Sequence, residues 1–480
     1  MEHRRDAGWL NDLKGKTQEE QQDDLTIDID KLRAILRKIP NWKAPGPDNV
    51  QGFWLKSIKK LHERMALQLQ ECLDGRGIPE WMTKGRTVLL IKDKVKGNAV
   101  GNYRPITCLP IMWKVLTGII AEDLYQHLHQ SSLLPDEQKG CRKESRGTKE
   151  QLVIDRAILR DCKQRKTNLA IAWIDYKKAY DSVFHSWKLE SLDLVGAADN
   201  IKRLMRESME SWKTQLTACG KDLGEVFIRR GIFQGDSLSS LLFVIAMLPL
   251  SSVLNDSGTG YQLSKEEGKI THLLFMDDLK LYYGRNEKEV NSLVHTVRVF
   301  SSDIGMDFGI EKCATMVMKR GKLDKSEGIR LPDGRIIRGV GDDVEGYKYL
   351  GVLEADDIMH DEVKRSMKKE YIRRVKKTFS SKLNAGNVIK AINSWAVSLL
   401  RYSGGIVNWT KSELAELDRK TRKLLTINGA LHPRSNVSRL YLPRKEGGRG
   451  LISVEDAINI EERNINVYIC QSQERLLKAA

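Results

Sequence analysis

Residues 270–283 read ITHLLFMDDLKLYY. Two apolar, β-prone runs, Ile270 to Phe275 and Leu279 to Tyr283, are parted only by Met276, Asp277 and Asp278. That spacing predicts a β-hairpin. Asp277 and Asp278 then stand side by side at the tip of a half-buried hairpin. Adjacent carboxylates repel each other, and desolvation beside a core makes this worse. A hard divalent cation such as Mg2+ takes oxygen ligands of this kind and relieves the repulsion. Asp-Asp pairs also occur at 23–24, 342–343 and 356–357. Those lie in polar stretches and are expected to be solvated.

Working outward, Leu169 to Ile174 is a short β-leaning run that ends in Asp175. A helical segment follows. Asp236 to Leu254 reads as a long apolar helix with Asp236 or Ser237 as its N-cap. Residues 287–303 have helical texture, ended by Gly305, and Ala314 to Met318 is a last strand. The span 169–318 therefore reads β-α-β-β-α-β, the split ferredoxin-like arrangement of an α+β fold. In such a sheet the first strand neighbours the hairpin, so Asp175 falls against Asp277 and Asp278. Three convergent carboxylates can hold two Mg2+ ions, one lowering the pKa of an attacking hydroxyl and one steadying a leaving phosphate.

Towards the N-terminus, Thr87 to Ile91 predicts a strand, followed by the loop KDKVKGNAVGNYRP at 92–105. Residues 110–130 and 148–163 have helical periodicity. Pro45, Gly46 and Pro47 in KAPGPD (43–48) exclude helix or central strand there. Residues 1–26 are polar and net acidic and read as a flexible arm. Residues 355–480 read as mainly helical and strongly basic.

The 480 residues carry 80 Lys+Arg against 64 Asp+Glu, a net +16. A surplus of that size points to a polyanionic partner, most often nucleic acid. No apolar run reaches the ~18 residues of a membrane span; the longest, Leu241 to Leu250, contains Pro249 and stops at Ser251. Seven Cys stand without a C-x-x-C pair, so neither a zinc ribbon nor a disulfide framework is indicated. His62-Glu63 lacks the second His of a zinc-protease helix, because position 66 is Ala. Reduced thiols and the lack of an apolar signal region lead us to expect an intracellular protein of nucleus or cytoplasm.

Further motifs fall in a fixed order: NWKAPGPD at 41–48, NYRPIT at 102–107, DYKKAYDS at 175–182, QGDSLSSLLF at 234–243, FMDD at 275–278, GIEKC at 309–313, YKYLG at 347–351 and PRKEGGRGL at 443–451. Together they resemble the motif series of a reverse transcriptase of the non-LTR retrotransposon (LINE-like) group, nearest to elements with a restriction-like endonuclease. The resemblance implies a right-hand polymerase: an arm at 1–26, fingers at 27–166, a palm with primer grip at 167–354, and a helical basic thumb and C-terminal region at 355–480. It implies an RNA-directed DNA polymerase acting on an RNA template, a DNA primer and dNTPs, with two Mg2+ ions, or Mn2+ in their place.

Carried over residue by residue, the resemblance makes Asp175, Asp277 and Asp278 the metal-binding catalytic carboxylates, with Tyr176 offering its backbone carbonyl. Tyr180 would be the steric gate that rejects a 2′-hydroxyl, and Gln234 and Gly235 would line the incoming nucleotide and template. Lys92 and Arg104 would grip the triphosphate, the main lever in phosphoryl chemistry. Lys312 would protonate the leaving pyrophosphate. Tyr349, Leu350 and Gly351 would form the primer grip. In the basic C-terminal region, IRRVKK at 372–377 and RKEGGR at 444–449 could meet backbone phosphates. The sequence departs from the pattern at Ser237 and Ser240, where Pro is usual, and at Phe275, where Tyr is more familiar. None of these removes a metal ligand. No Cys/His knuckle and no endonuclease is readable, so the expectation is the polymerase portion of a larger polyprotein. A rival reading is a catalytically idle RNA-binding remnant. A second rival, a polymerase making RNA, is disfavoured by Tyr180 as gate.

Overall fold

The computed structural model describes residues 2–16, 21–93, 95, 97, 99–218, 220–263, 268–284, 287–341 and 346–479. The pair Asp342-Asp343 lies outside the described residues, as do Lys94, Lys96 and Asn98 of the 92–105 loop. In chain order the strands are β1 (Lys84–Ile91), β2 (Tyr103–Cys108), β3 (Leu169–Ile174), β4 (Lys213–Ala218), β5 (Lys221–Phe227), β6 (Tyr261–Gln262), β7 (Lys269–Ile270), β8 (His272–Phe275), β9 (Asp278–Tyr283), β10 (Ala314–Lys319), β11 (Lys322–Asp324), β12 (Ile329–Arg330), β13 (Ile336–Val340), β14 (Tyr347–Tyr349) and β15 (Val352–Glu354).

The central sheet runs β10-β3-β9-β8, every neighbour antiparallel. It is extended beyond β10 by β13 and β12, and β11 also pairs with β10. β3 is buried at every position because it packs on both faces. Leu169, Ile171 and Trp173 enter a core shared with Tyr371, Leu400 and Ile458 of the C-terminal helices. Ala170, Ala172 and Ile174 enter the opposite core, as the two-residue period of a strand requires. There they meet Phe243 and Met247 of the helix Ser239–Asp256, and Val294 and Phe300 of the helix Glu287–Asp303. The small Ala residues let both helices lie close to the sheet.

The structure differs from four of the expectations. The helix over 236–254 begins at Ser239, and neither Asp236 nor Ser237 caps it. Thr117 Oγ1 donates to Asp236 Oδ1 at 2.7 Å, and Ser237 Oγ donates to the Lys114 carbonyl at 3.0 Å. Partners distant in sequence thus take both side chains. That helix is also long and apolar enough to cross a membrane by length and composition, but 72% of it is buried inside the protein. Its apolarity serves the core.

The described part of residues 1–26 is docked. Gly8–Lys16 is a helix. Ala7 and Leu10 are buried, and Trp9 packs on Trp187 and Phe300 while donating to Asp303 Oδ2 at 2.9 Å. Leu25 is buried, with its carbonyl accepting from Asn200 Nδ2 at 2.9 Å. A few apolar anchors inside a polar segment suffice to seat it.

The boundary expected at 166/167 is crossed by the chain. β4 and β5 leave the 167–354 segment and extend β1 and β2 into a second sheet, ordered β2-β1-β4-β5. A third core, with Leu69, Trp113, Leu204 and Trp212, joins helices from both sides of that boundary. The loop read at 92–105 closes early, since β2 starts at Tyr103. Pro105 is tolerated because β2 is an edge strand.

Candidate active site

The register places the carboxylates. Ile174 at the end of β3 pairs with Leu279 of β9, so Asp175 emerges beside Asp278. β8 and β9 close with Phe275 opposite Asp278, leaving Met276 and Asp277 as the turn. This is one residue tighter than the spacing predicted. Met276 has φ +58, a left-handed conformation that costs a side-chain-bearing residue ~1–3 kcal/mol. Gln138, missed in the sequence, holds it. Its Oε1 accepts from the Met276 N–H at 3.0 Å and from the Gly140 N–H at 2.7 Å. Any Cβ at Gly140 would stand 2.4 Å from Met276 Sδ.

Burial, then the charge of Asp175, pushes the Asp277 carboxyl above the usual range; Lys312 and Arg104 pull it back. Burial with the charges of Asp277 and Asp175 raises Asp278 to about 6. The three carboxylates therefore feel one another. Asp175 is engaged by Lys312, whose Nζ donates to Oδ1 at 3.0 Å. Gly309 makes room for that carboxylate: a Cβ there would meet Asp175 Oδ1 at 2.9 Å. Among the described residues no group of three His, Cys, Asp or Glu side chains is placed as a ready metal cage. The donor chemistry nonetheless fits a hard cation: two raised, mutually repelling carboxyls of adjacent residues gain from a positive charge.

The Tyr176 side chain is buried, its hydroxyl accepting from Ser301 Oγ at 3.1 Å, so only its backbone can face the cleft. Tyr180 is stacked on Phe243 at 4.6 Å with an 11° interplanar angle. Burial, then the Asp277 charge, raises its phenol strongly. Gln234 Nε2 donates to Asp181 Oδ1 at 3.1 Å, and its carbonyl accepts from the Thr107 N–H at 2.9 Å. Gly235 has φ +128, and a Cβ would stand 2.5 Å from the Thr107 carbonyl oxygen; only glycine fits.

Lys92 follows β1, and Arg104 lies on β2 opposite Leu90. Burial lowers Lys92, and so do the charges of Arg104, Lys312 and Lys178. Of these cations, Lys312 and Arg104 act on the hairpin carboxylates, while Lys92 and Lys178 act on Asp181. Asn102 of the NYRPIT motif shapes the loop: its Oδ1 accepts from the Asp93 N–H at 3.0 Å and its Nδ2 donates to the Gly97 carbonyl at 2.8 Å.

At the expected primer grip, Leu350 and Gly351 form the β14–β15 turn, with φ +44 and +82. The Tyr349 side chain is buried under Lys280 Nζ, 4.9 Å from its ring centre. It packs the hairpin down, and the Tyr402 hydroxyl donates to the Leu350 carbonyl at the tip at 2.6 Å. In IRRVKK, Arg373 and Arg374 both bind Glu370, at 2.6 and 2.8 Å.

A family model described as reverse transcriptase (RNA-dependent DNA polymerase) matches residues 91–353. A Retrovirus-related Pol polyprotein from type-1 retrotransposable element R2 of Popillia japonica is 29% identical over 325 residues, 65% of this chain and 43% of that protein. Another of the same name and organism is 31% identical over 182 residues, 37% of this chain and 30% of the relative. The Retrovirus-related Pol polyprotein from type-2 retrotransposable element R2DM of Drosophila melanogaster is 27% identical over 282 residues, 58% of this chain and 25% of its own length. The chain thus spans less than half the length of each of these relatives. The family match runs over more than half of the 480 residues and takes in both β3 and the hairpin opposite Asp175. On that ground the chain belongs to the reverse transcriptase (RNA-dependent DNA polymerase) family.

Proposed function

We propose that this chain is the polymerase portion of a non-LTR retrotransposon polyprotein, an RNA-directed DNA polymerase that extends a DNA primer on an RNA template with dNTPs. In this reading the β10-β3-β9-β8 sheet and its two helices are a ferredoxin-like palm of a right hand. β1 and β2 belong to the fingers, the β14–β15 turn is the primer grip, and the helices of 355–480 are the thumb. The observation that carries the reading is the opposition at the hairpin tip: Asp277 and Asp278, raised by burial and by neighbouring carboxylates, meet the charge of Lys312, and Asp277 also that of Arg104.

The carboxylates of Asp175, Asp277 and Asp278, with the Tyr176 carbonyl, would hold two Mg2+ or Mn2+ ions. Bound there, such ions supply Lewis acidity at the attacking and leaving oxygens. Lys92 and Arg104 hold the triphosphate, and the Tyr180 ring, fixed by Phe243, shuts out a 2′-hydroxyl. The primer 3′-oxygen bonds to the α-phosphorus as the bond from that phosphorus to the bridging oxygen of the β-phosphate breaks. The hydroxyl proton passes to solvent, Lys312 gives a proton to the departing pyrophosphate, and pyrophosphate leaves.

Primer extension tests this. Wild type with an RNA template, an annealed DNA primer, dNTPs and Mg2+ should extend the primer, and an Asp277→Asn/Asp278→Asn double variant should not. Salt-sensitive RNA binding in both proteins with extension in neither would overturn the enzyme reading in favour of a binding remnant.

A further inference from the structure

The segment Glu137–Gly140 lies along the β8–β9 hairpin. Its backbone is bridged to Leu274 of β8: the Leu274 N–H donates to the Glu137 carbonyl at 2.9 Å, and the Lys139 N–H donates to the Leu274 carbonyl at 3.0 Å. Gln151 Nε2 clamps both backbones, donating to the carbonyls of Glu137 and Leu274 at 2.7 and 2.9 Å. Side chains of an extended segment alternate between two sides. Gln138 points to the turn, where it holds the Met276 N–H, so Glu137 and Lys139 point away from it.

Both meet a segment more than 330 positions away. Lys139 is fully buried and pairs with Glu150 at 2.5 Å and with Glu474. Arg142 Nε stands 3.6 Å from the same Glu474. Arg475 Nη2 donates to Glu137 Oε1 at 3.2 Å. Leu476 and Leu477 are buried in the core that holds Leu152 and Leu273. Gln151 thus fixes the backbone of 137–139, and Glu474 and Arg475 fix the two side chains that flank Gln138. Charges buried as pairs resist displacement, because a parted charge stays desolvated. We propose that residues 472–477 form a strap that positions the Met276–Asp277 turn for catalysis, acting from Glu474 and Arg475 through Lys139 and Glu137 to Gln138. This rests on the polymerase reading. The strap residues are positioning residues, and a displacement of the turn by less than 1 Å is enough to slow a reaction that depends on the placing of its carboxylates.

The test joins single-nucleotide primer extension to amide hydrogen exchange, both on the full chain. In Glu474→Ala, kcat should fall about tenfold, with KM for primer–template and for dNTP within about twofold of wild type. Exchange should quicken at Met276 and Gly140, whose N–H groups Gln138 holds, and stay unchanged in the β2-β1-β4-β5 sheet. Glu474→Gln can still accept from Lys139 and should recover most of the rate. The fold should survive Glu474→Ala, since Lys139 keeps Glu150. Arg475→Ala leaves Lys139 untouched and reports if it does not; its effect should be the same in kind and smaller, because Arg475 is 44% exposed. Wild-type kcat in both alanine variants would overturn the strap. Exchange quickened throughout the chain, or a rise in KM alone, would overturn it too, leaving 472–477 a structural anchor. Wild type that extends no primer sinks the polymerase reading itself. Quickened exchange confined to the turn would then keep the strap as the support of that turn, and unchanged exchange would sink the strap as well.

Discussion

The β8–β9 and β14–β15 hairpins are built alike and carry their carboxylates at opposite ends. Both close on two residues. In β14–β15 both turn residues, Leu350 and Gly351, are left-handed, the geometry that suits strand twist, and Tyr402 adds one hydrogen bond to the Leu350 carbonyl at 2.6 Å. In β8–β9 only Met276 is left-handed, and Gln138 from another segment must hold it. The charges differ in place as well. β8–β9 carries its carboxylates at the tip, next to one another. β14–β15 carries Glu354 at its base, fully buried, accepting from Trp173 Nε1 at 2.8 Å and from Lys280 Nζ at 2.6 Å. Asp155 meets the same Lys280 at 2.6 Å. Burial and the Asp155 charge raise Glu354, so Glu354 retains a proton readily. Tyr347 stacks on Trp173 at 4.8 Å and seals the base. Lys280 lies two residues beyond Asp278 on the same strand. One strand therefore carries an unmatched charge at the open end and a matched one in the core. The unmatched end is where a ligand can act.

Removing the matched charge should have the largest effect. Lys280→Met leaves Asp155 and Glu354 buried without a cation, a loss of ~3–5 kcal/mol. Chemical denaturation should show it as a lower midpoint, largely restored by adding Glu354→Gln and Asp155→Asn. A midpoint unchanged in the single variant would mean that the network does not hold the hairpins together.

Next in size is Gln138→Ala, which strands the Met276 and Gly140 N–H groups at a cost of ~1–3 kcal/mol. If Gln138 serves only to aim the turn, kcat for extension should fall about tenfold with KM for primer–template unchanged. A pure rise in KM would assign it to binding instead.

The smallest effect is that of pH. With Asp278 raised to about 6, its carboxylate is present above that pH and is lost as pH falls through it. At limiting Mg2+, extension should fall by up to about tenfold from pH 7 to pH 5 as protons compete with the cation for this carboxylate, and excess Mg2+ should offset the fall. Stability should move the other way. A carboxyl whose folded pKa exceeds its unfolded value favours the fold when protonated. In chelator, therefore, thermal melting should rise as pH drops from about 6 towards 4, and Asp278→Asn should reduce that rise, with Asp277 and Asp236 supplying the remainder. A melting curve flat over this range would remove the unmatched end from the comparison.

Much of the sheet was legible because it is local. β3, β10 and the helix Glu287–Asp303 follow from hydrophobic period and from the residues that stop it, and the tip carboxylates from their place between two apolar runs. The motif order carried the candidate site residues in the same way, and the structure brings Asp175, Asp277, Asp278, Lys312 and Arg104 into one electrostatic field. What the sequence could not show was partner choice. Gly8–Lys16 reads as polar arm until Trp9 meets Trp187. β4 and β5 belong to a palm segment by position and to the other sheet by pairing. Asp236 reads as a cap until Thr117 reaches it. Gln138 and Lys280 carry no local mark at all. Periodicity records which face of an element is apolar, because burial acts on every residue of that face. It does not record which distant group satisfies a single polar atom or a strained turn, since that depends on how the packed elements bring the chain together.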